Sequence, residues 1–446
     1  MKKLNSKFLL ICFLSVFVLG SINYAQLVLP QPSPSATAYQ KIGTTEVTIN
    51  YSRPGVKGRT IWGGLVPYNE IWRTGANAAT TIEFSTDVVV EGNKIPSGKY
   101  ALFTIPADKE WTIIINNNWD QGGTSEYAET DDVVRFKVTP KVVDHSHEWM
   151  FFTFFAQSKN SAKAVLAWDK LMIPFTIVSE VTDVSSKEAR VSPIASIRQR
   201  IGVTDVTVTY GSPEVKGRTV WGELVPFNKV WRTGANESTK IEFSTDVTID
   251  GKSVPAGKYS LFTIPSEKEW TVILNSVSDQ WGSYDYDESK DVLRFQVSPK
   301  EIGHHERLVV IATELSENSG TINIEWEKLK ISFPVKTDVV SLAYSNISKA
   351  IAAAKEDEWG VYASGANFMA DHDSHLDEAK DWADKAAGMT DNYFAYLAAA
   401  KVYHKLGNKE KAVEYIDMVL ENAKKVSFYE AIKGSLENLA KEIKSK

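Results

Sequence analysis

The stretch VKGRTIWGGLVPYNEIWRTGAN at residues 56–77 decides the architecture, because it occurs again, little changed, as VKGRTVWGELVPFNKVWRTGAN at residues 215–236. The offset of 159 residues persists on both sides, so that residues 51–141 reappear as residues 210–300. Solenoid repeats have periods of only about 20 to 50 residues, and each unit needs its neighbours to complete a core. A repeat this long therefore predicts two domains in tandem, each with its own hydrophobic core.

Both copies consist of short segments in which apolar and polar residues alternate, separated by turns rich in Gly, Pro and Asn. This alternation of β-branched and aromatic residues is typical of strands with one buried face. No helical pattern interrupts the segments, and parallel strands would need long crossover connections. The sequence therefore predicts two antiparallel β-sandwich domains, with hairpin turns at residues 91–94 and 250–253. The clearest strand segments are EVTINY (46–51), KYALFTI (99–105), WTIIIN (111–116), DVTVTY (205–210), KYSLFTI (258–264) and WTVILN (270–275).

The period of the apolar residues changes to 3.6 after residue 337, where the chain becomes rich in Ala and Lys. Apolar positions of this tail recur 33 residues apart, and Leu-Gly-Asn separates two helical segments, which resembles the tetratricopeptide repeat. We predict one helical hairpin at residues 391–424, a degenerate one at 359–388, and flanking helices at about 340–355 and 427–444. The predicted fold class is mainly β with an α-helical tail: two tandem antiparallel β-sandwich domains followed by tetratricopeptide-like helical hairpins.

Two roles are open for this tail. Stacked helix pairs usually present a groove that binds a protein segment, so a protein partner is one expectation. The alternative is a helical cap that braces the second sandwich.

The N-terminus has the pattern of a cleaved secretory signal. Lys2, Lys3 and Lys7 precede the apolar run 8–20, and Ala25 supplies the small residue that signal peptidase requires. We therefore predict a signal peptide at 1–25 and export to the periplasm, or to the extracellular space or cell surface. The apolar run is shorter than the roughly 20 residues of a membrane span, and no later segment supplies one.

The mature chain should contain three domains: β-sandwich module 1 at 26–182, β-sandwich module 2 at 190–337, and the helical domain at 340–446. A linker is expected near Asp183 to Arg190. Cys12 is the only cysteine and lies in the leader, so disulfides, thiolate catalysis and cysteine metal sites are excluded. The net charge of −6 argues against a nucleic-acid partner.

Several motifs of both copies resemble one known family. The segments YSRPGVKGRTIW (51–62), IWRTGAN (71–77) and PSGKY (96–100), with VKGRTVW (215–221), VWRTGAN (230–236) and PAGKY (255–259), are similar to the domain-of-unknown-function family DUF2911, found in exported bacterial proteins. The resemblance implies an envelope domain and no particular activity. Copy two departs from copy one at Ser212 and Glu214, which stand where copy one has Arg53 and Gly55.

Five polar and aromatic residues in each copy form a candidate ligand site. Guanidinium groups bind oxyanions in a forked geometry, and indole faces stack on rings, so this combination suits a glycan or an organic anion. The structural alternative is that Arg73 stacks on a Trp and pairs with Glu83 to hold a long loop. The candidate ligand-binding residues are Arg59, Trp62, Trp72, Arg73, Asn77, Arg218, Trp221, Trp231, Arg232 and Asn236.

Catalytic, metal and cofactor sites are not predicted. Glu83 and Asp87 would lie about 13 Å apart on a straight strand, whereas glycosidase carboxylates stand about 5 to 9.5 Å apart. The segment His145-Ser-His147-Glu148 becomes His304-His305-Glu306 in copy two, and this change of spacing would disrupt a metal site.

The functional prediction is a secreted, non-catalytic ligand-binding or scaffolding protein of the envelope. The alternative is a hydrolase-like enzyme that acts on cell-wall or imported glycan. It would use the Arg/Trp loop to bind substrate and an acid such as Glu83 or Asp120 to act on it.

Overall fold

The computed structural model describes residues 27–180 and 190–445. They fall into two compact units, a β-rich unit at Leu29–Ala343 and a helical unit that contains the chain from Tyr344 onward. The predicted signal peptide lies outside the described residues, as does the predicted linker apart from Arg190. Within the described ranges, no helix has both the length and the apolar character needed to cross a membrane.

Module 1 contains ten strands, and almost all are short, as the alternating pattern predicts. In β1, for example, every second residue from Ala36 to Ile42 is buried, which marks one face as core. The strands are β1 (Ser35–Ile42), β2 (Thr45–Ser52), β3 (Thr81–Phe84), β4 (Val88–Val90), β5 (Asn93–Ile95), β6 (Gly98–Ile105), β7 (Trp111–Asn116), β8 (Asp132–Val138), β9 (Lys141–Ala156) and β10 (Ser161–Ser179).

Module 2 repeats the same ten strands in the same order. They are β11 (Ile194–Ile201), β12 (Thr204–Gly211), β13 (Thr239–Phe243), β14 (Val247–Ile249), β15 (Lys252–Val254), β16 (Gly257–Ile264), β17 (Trp270–Asn275), β18 (Asp291–Val297), β19 (Lys300–Thr313) and β20 (Ser319–Lys336). The predicted hairpin turns join β4 to β5 and β14 to β15. In the first turn, Glu91 and Gly92 both have positive φ, as a two-residue hairpin turn of type I′ requires.

One antiparallel sheet of twelve strands runs through both modules. Its order is β18-β17-β16-β13-β12-β11-β1-β2-β3-β6-β7-β8, so each module contributes six strands. Each module also has its own four-stranded sheet, ordered β5-β4-β10-β9 or β15-β14-β20-β19. The hydrophobic residues between the two sheets form a separate core in each module. The predicted fold class is confirmed: two tandem antiparallel domains, followed by helices.

The two modules meet through antiparallel pairing of β1 with β11, which we call the joint. Ala38 lies opposite Ile197, and these residues are counterparts in the two copies, 159 positions apart. A local two-fold axis therefore passes between them. Duplication alone predicted two cores but not this shared sheet, because edge pairing between domains leaves no periodic pattern in the sequence.

Two buried arginines cross the joint in opposite directions. Arg53, only 2% exposed, donates from its side chain to Met150 O of its own module and to Gln199 Oε1 and Ala312 O of module 2. Arg307 of module 2 donates from Nε to Ala156 O of module 1 at 2.7 Å. Because buried carbonyls need donors, these bonds hold the modules in one arrangement.

The helical unit contains both predicted hairpins. The hairpin predicted at residues 391–424 consists of α4 and α5, and the one predicted at 359–388 consists of α2 and α3. Asn392 and Asn408 begin α4 and α5 by accepting backbone N–H bonds at their side chains. The helices are α1 (Val339–Ala353), α2 (Trp359–Asp371), α3 (Leu376–Met389), α4 (Tyr393–Lys405), α5 (Lys409–Asn422) and α6 (Tyr429–Ser445).

A chain that ends at Ala343 is expected to lose nearly all of its helical circular dichroism signal and to keep its β signal. The reason is that the helices lie almost entirely after this residue, and the β-rich unit has its own cores. Far-ultraviolet spectra and a thermal melt would measure both properties. A shortened chain that does not melt cooperatively would contradict the division into two units.

Candidate functional site

The sequence repeated between the modules lies mainly in the connections from β2 to β3 and from β12 to β13. These connections contain the WRTGAN loops, at residues 72–77 and 231–236. Each loop begins with a bridge to the large sheet: Trp72 N donates to Thr104 O at 2.8 Å, and Thr104 N donates to Trp72 O at 3.0 Å. This bridge directs the Trp72 indole into the core, where the side chain is 8% exposed.

Four tryptophans form an indole cluster in the core of module 1. Trp62 stands edge-on to Trp72, Trp111 and Trp168, with ring centroids 4.8–5.8 Å apart. Trp72 stacks on Trp168 at 5.8 Å with an interplanar angle of 22°. Aromatic pairs of this kind stabilise a core beyond the area they bury.

Module 2 has the same indole cluster, made of Trp221, Trp231, Trp270 and Trp326, with nearly identical distances. Trp72 is buried, whereas Trp62, Trp221 and Trp231 are half-buried. The contacts among the rings of each cluster favour a structural role for these tryptophans over the predicted stacking on a ligand.

Arg59 and Arg218 close the turns that precede the clusters. Arg59 donates from Nε to Val56 O at 3.2 Å and from Nη2 to Gly55 O at 2.6 Å. Arg218 makes the same two bonds to Val215 O and Glu214 O. These guanidinium groups are partly committed to their own backbone, which indicates a structural role.

Asn77 and Asn236 shape the ends of the WRTGAN loops. Both have positive φ, 57° and 66°, a conformation that asparagine tolerates better than most residues. Asn77 Nδ2 donates to Ser33 O at 3.1 Å, and Asn236 Nδ2 donates to Ser192 O at the same distance. Each amide thus anchors the loop to the segment that leads into the first strand of its module.

Arg73 and Arg232 differ from the other candidate residues. Their Nε atoms are buried, and in the described part of the chain neither guanidinium has a hydrogen bond or an ion pair. The alternative of a buried Arg73–Glu83 pair is wrong, because Glu83 is exposed on β3 opposite Lys99. Its counterpart Glu242 pairs with Lys258 at 3.4 Å. Among the described candidates, the indole N–H groups of Trp62 and Trp221 also lack an acceptor, so the two arginines are the charged candidates with unused donors.

The acidic candidates take part in turns and surface pairs. Asp87 accepts a bond from Ser97 N at 2.8 Å and closes the turn after β5. Asp279, the counterpart of Asp120, forms an ion pair with Lys240, which lowers the pKa of this carboxyl. No contact in the described ranges places Glu83, Asp87 or Asp120 against Arg73.

The histidine segment forms a small cluster at the start of β9. The rings of His145 and His147 are 4.6 Å apart, and His147 also packs edge-on against Phe151 at 5.1 Å. In the residues that the structure describes, no group of three or more His, Asp or Glu side chains is arranged to hold a metal. Burial, with the positive charge of His145, lowers the pKa of His147 to about 4.

His147→Phe is expected to reduce the loss of stability on acidification. Below about pH 6.5 an unfolded histidine takes up a proton, whereas folded His147 stays neutral until about pH 4. The wild-type protein therefore loses stability through this residue as the pH falls across that window. Urea unfolding at pH 7.5 and pH 4.5 would measure the difference for both proteins. Equal losses in the two proteins would contradict the burial of a neutral ring.

Three residues important to this arrangement were not among the sequence candidates. Trp111 and Trp168 complete the indole cluster, and a signal existed, since Trp270 and Trp326 occupy matching places in copy two. Arg53 gave no such signal, because copy two has Ser212 there and two of its three partners belong to the other module.

Together these features define a class of tandem two-sheet modules with antiparallel strands, each built around four tryptophans and an arginine-bearing loop. The chain belongs to the family described as protein of unknown function (DUF2911), whose profile matches residues 33–177 and 192–335. A search of curated proteins found no match.

Proposed function

We propose that this chain is an exported, non-catalytic binding or scaffolding protein of the bacterial envelope. In this proposal, Arg73 and Arg232 each bind an anionic group of a glycan or organic acid. The proposal is supported chiefly by the two partially buried guanidinium groups that lack partners at equivalent places. A group of this kind is costly to hold away from water without an acceptor, and an oxyanion satisfies it in a forked geometry.

The absence of catalysis in this proposal follows from the surroundings of the acids. Glycoside hydrolysis needs two carboxylates that face one bond. Asp87 closes a turn and Glu83 lies opposite a lysine on an exposed strand face. A scaffold that displays binding loops from a rigid sheet fits these contacts better than a hydrolase.

For the helical unit we propose a tetratricopeptide-like role in binding a protein segment. A cleft of about 590 Å³ opens between α2, α4, α5 and α6. Lys405 and Lys409 line it, while Lys401 there is paired with Asp371 at 2.8 Å. Asp373 and Glu442 line the same cleft, so its lining carries charges of both signs. Export to the periplasm or cell surface, by a signal peptide at 1–25, belongs to the same proposal.

The double variant Arg73→Ala with Arg232→Ala is expected to abolish anion binding and to leave the melting temperature nearly unchanged. A guanidinium without partners contributes little to folding, about 0 to 1 kcal/mol for a partly exposed group. Binding of citrate, oligogalacturonate and sulfated oligosaccharides would be measured by calorimetry. The matched control is Arg59→Ala with Arg218→Ala, which removes two turn-closing guanidiniums and should retain binding.

Two results would end this proposal. One is a large loss of stability in the Arg73/Arg232 variant with no anion bound by the wild-type chain. The other is loss of binding in the Arg59/Arg218 control alone, which would move the site to the preceding turn.

A further inference from the structure

The loop after β7 and its counterpart after β17 differ in surface chemistry between the modules. Module 1 has GGTS at residues 122–125, and module 2 has WGSY at residues 281–284. Trp281 is 57% exposed and Tyr284 is 82% exposed. Neither ring packs against another ring or a cation in the described ranges. Two large aromatic side chains are thus presented to solvent in module 2 alone.

These aromatic residues are fixed beside the WRTGAN loop of module 2. Gly282 N donates to Asn236 O at 3.0 Å, and Ser283 Oγ donates to Val230 O at 3.2 Å. A methyl group placed on Gly282 would lie 3.5 Å from Arg232 Nη1 and 2.9 Å from the Tyr284 ring. The unpartnered guanidinium and the exposed aromatic ring therefore both lie next to one glycine.

Of the arginines described around this loop, Arg232 is the one without an ion pair. Arg190 is paired with Glu237, and Lys240 is paired with Asp279. Asp285, exposed beside Tyr284, is a carboxylate that can accept hydrogen bonds from hydroxyl groups.

Module 1 lacks the same surface. Its exposed tryptophan, Trp119, has the Lys99 ammonium 3.8 Å above its ring, so that face is covered. Gly122 and Gly123, the counterparts of Trp281 and Gly282, have nothing within 4 Å of a Cβ position. Module 1 therefore has no aromatic side chains at the positions that correspond to Trp281 and Tyr284, where it has Gly122 and Ser125.

We propose that module 2 carries a site for an acidic saccharide. Trp281 and Tyr284 would stack on sugar rings, since aromatic side chains combine a large apolar face with low conformational cost. Arg232 would bind the carboxylate or sulfate, and Asp285 would accept sugar hydroxyls. This inference rests on the proposed function and specifies both the module and the ligand class.

The test uses the full chain and calorimetry with oligogalacturonate, a chondroitin sulfate oligosaccharide, and a neutral cello-oligosaccharide. Trp281→Gly with Tyr284→Ser installs the residues of module 1 at the same positions. We expect it and Arg232→Ala each to weaken acidic-saccharide binding by about tenfold or more, as for central contact residues. The control Trp119→Ala should leave this binding unchanged, and all variants should melt like the wild-type protein.

Any other outcome overturns the inference. The outcomes also distinguish a failure of this inference from a failure of the proposed function. If Arg232→Ala loses binding but Trp281→Gly/Tyr284→Ser keeps it, anion binding stands and the saccharide platform fails. If citrate binds through Arg73 and Arg232 while no acidic saccharide binds, the ligand class is wrong. If the aromatic variant instead abolishes self-association in sedimentation, the surface contacts a second copy of this chain.

Discussion

Trp168→Ala is expected to lower the free energy of unfolding by about 3–5 kcal/mol, as for other buried large-to-small aromatic substitutions. Trp168 is 1% exposed, stacks on Trp72 and receives the edge of Trp62. Removing it leaves a cavity that the neighbouring indoles border, and the two-sheet core can collapse only partly around it. Trp326→Ala should have the same effect in module 2, because the second indole cluster has the same geometry.

Urea unfolding followed by circular dichroism would measure this loss. The matched control is Trp119→Ala, which removes a tryptophan of the same module that is 40% exposed. The Lys99 ammonium lies 3.8 Å over its ring, and this contact is worth about 1 kcal/mol or less at the surface. A Trp168→Ala protein no less stable than this control would show that the indole cluster does not stabilise the module.

Arg53→Ser is expected to cost about 2–5 kcal/mol and to weaken the joint. The variant has the residue that module 2 has at the same position, Ser212. Three buried carbonyl oxygens would lose their donor, which costs about 1–3 kcal/mol each. Removal of the buried charge would offset part of this loss of stability. Burial already lowers the pKa of the Arg53 guanidinium, which shows that this charge is held at a cost.

Because two of those acceptors belong to module 2, we expect the urea transition of the β-rich unit to separate into two steps. The control is Arg200→Ser, on β11 beside the joint, whose guanidinium pairs with Asp205 inside module 2. The pair is partly exposed, so its loss should lower the free energy of unfolding by about 1 kcal/mol or less. A single unchanged transition in Arg53→Ser would contradict the coupling of the modules.

Periodicity was sufficient to predict most of the fold. The repeat predicted two modules, the alternation in segments such as 46–51 predicted antiparallel strands, and the change to period 3.6 predicted the helices. These features depend on local patterns that one strand or helix imposes on its own residues. The pairing of β1 with β11 does not, since any strand with one apolar face can pair at its edge.

The candidate site was predictable only in part, for a physical reason. A tryptophan in a Gly- and Pro-rich connection can turn inward or outward, and the bridge from Trp72 to Thr104 turns it inward. Arg59 and Asn77 are predicted ligand contacts, yet their bonds go to carbonyls of their own loop or a neighbouring segment. The sequence cannot show which carbonyl will lie near a given side chain. The unpartnered state of Arg73 follows from the position of Glu83 on the exposed face of β3, which the sequence does not show.

The local two-fold axis at Ala38 and Ile197 gives the pair of modules the symmetry of a homodimer, although both modules belong to one chain. A true homodimer has a self-complementary interface, so any substitution appears on both sides of it at once. Covalent linkage replaces association from solution by an intramolecular encounter at an effective concentration in about the millimolar range. It also frees the two halves to diverge. Arg53 of module 1 has Ser212 at the matching position of module 2. Arg307 of module 2 matches Trp149 of module 1, and Trp281 matches Gly122. Covalent linkage thus allows the two halves to acquire different surfaces while they share one sheet.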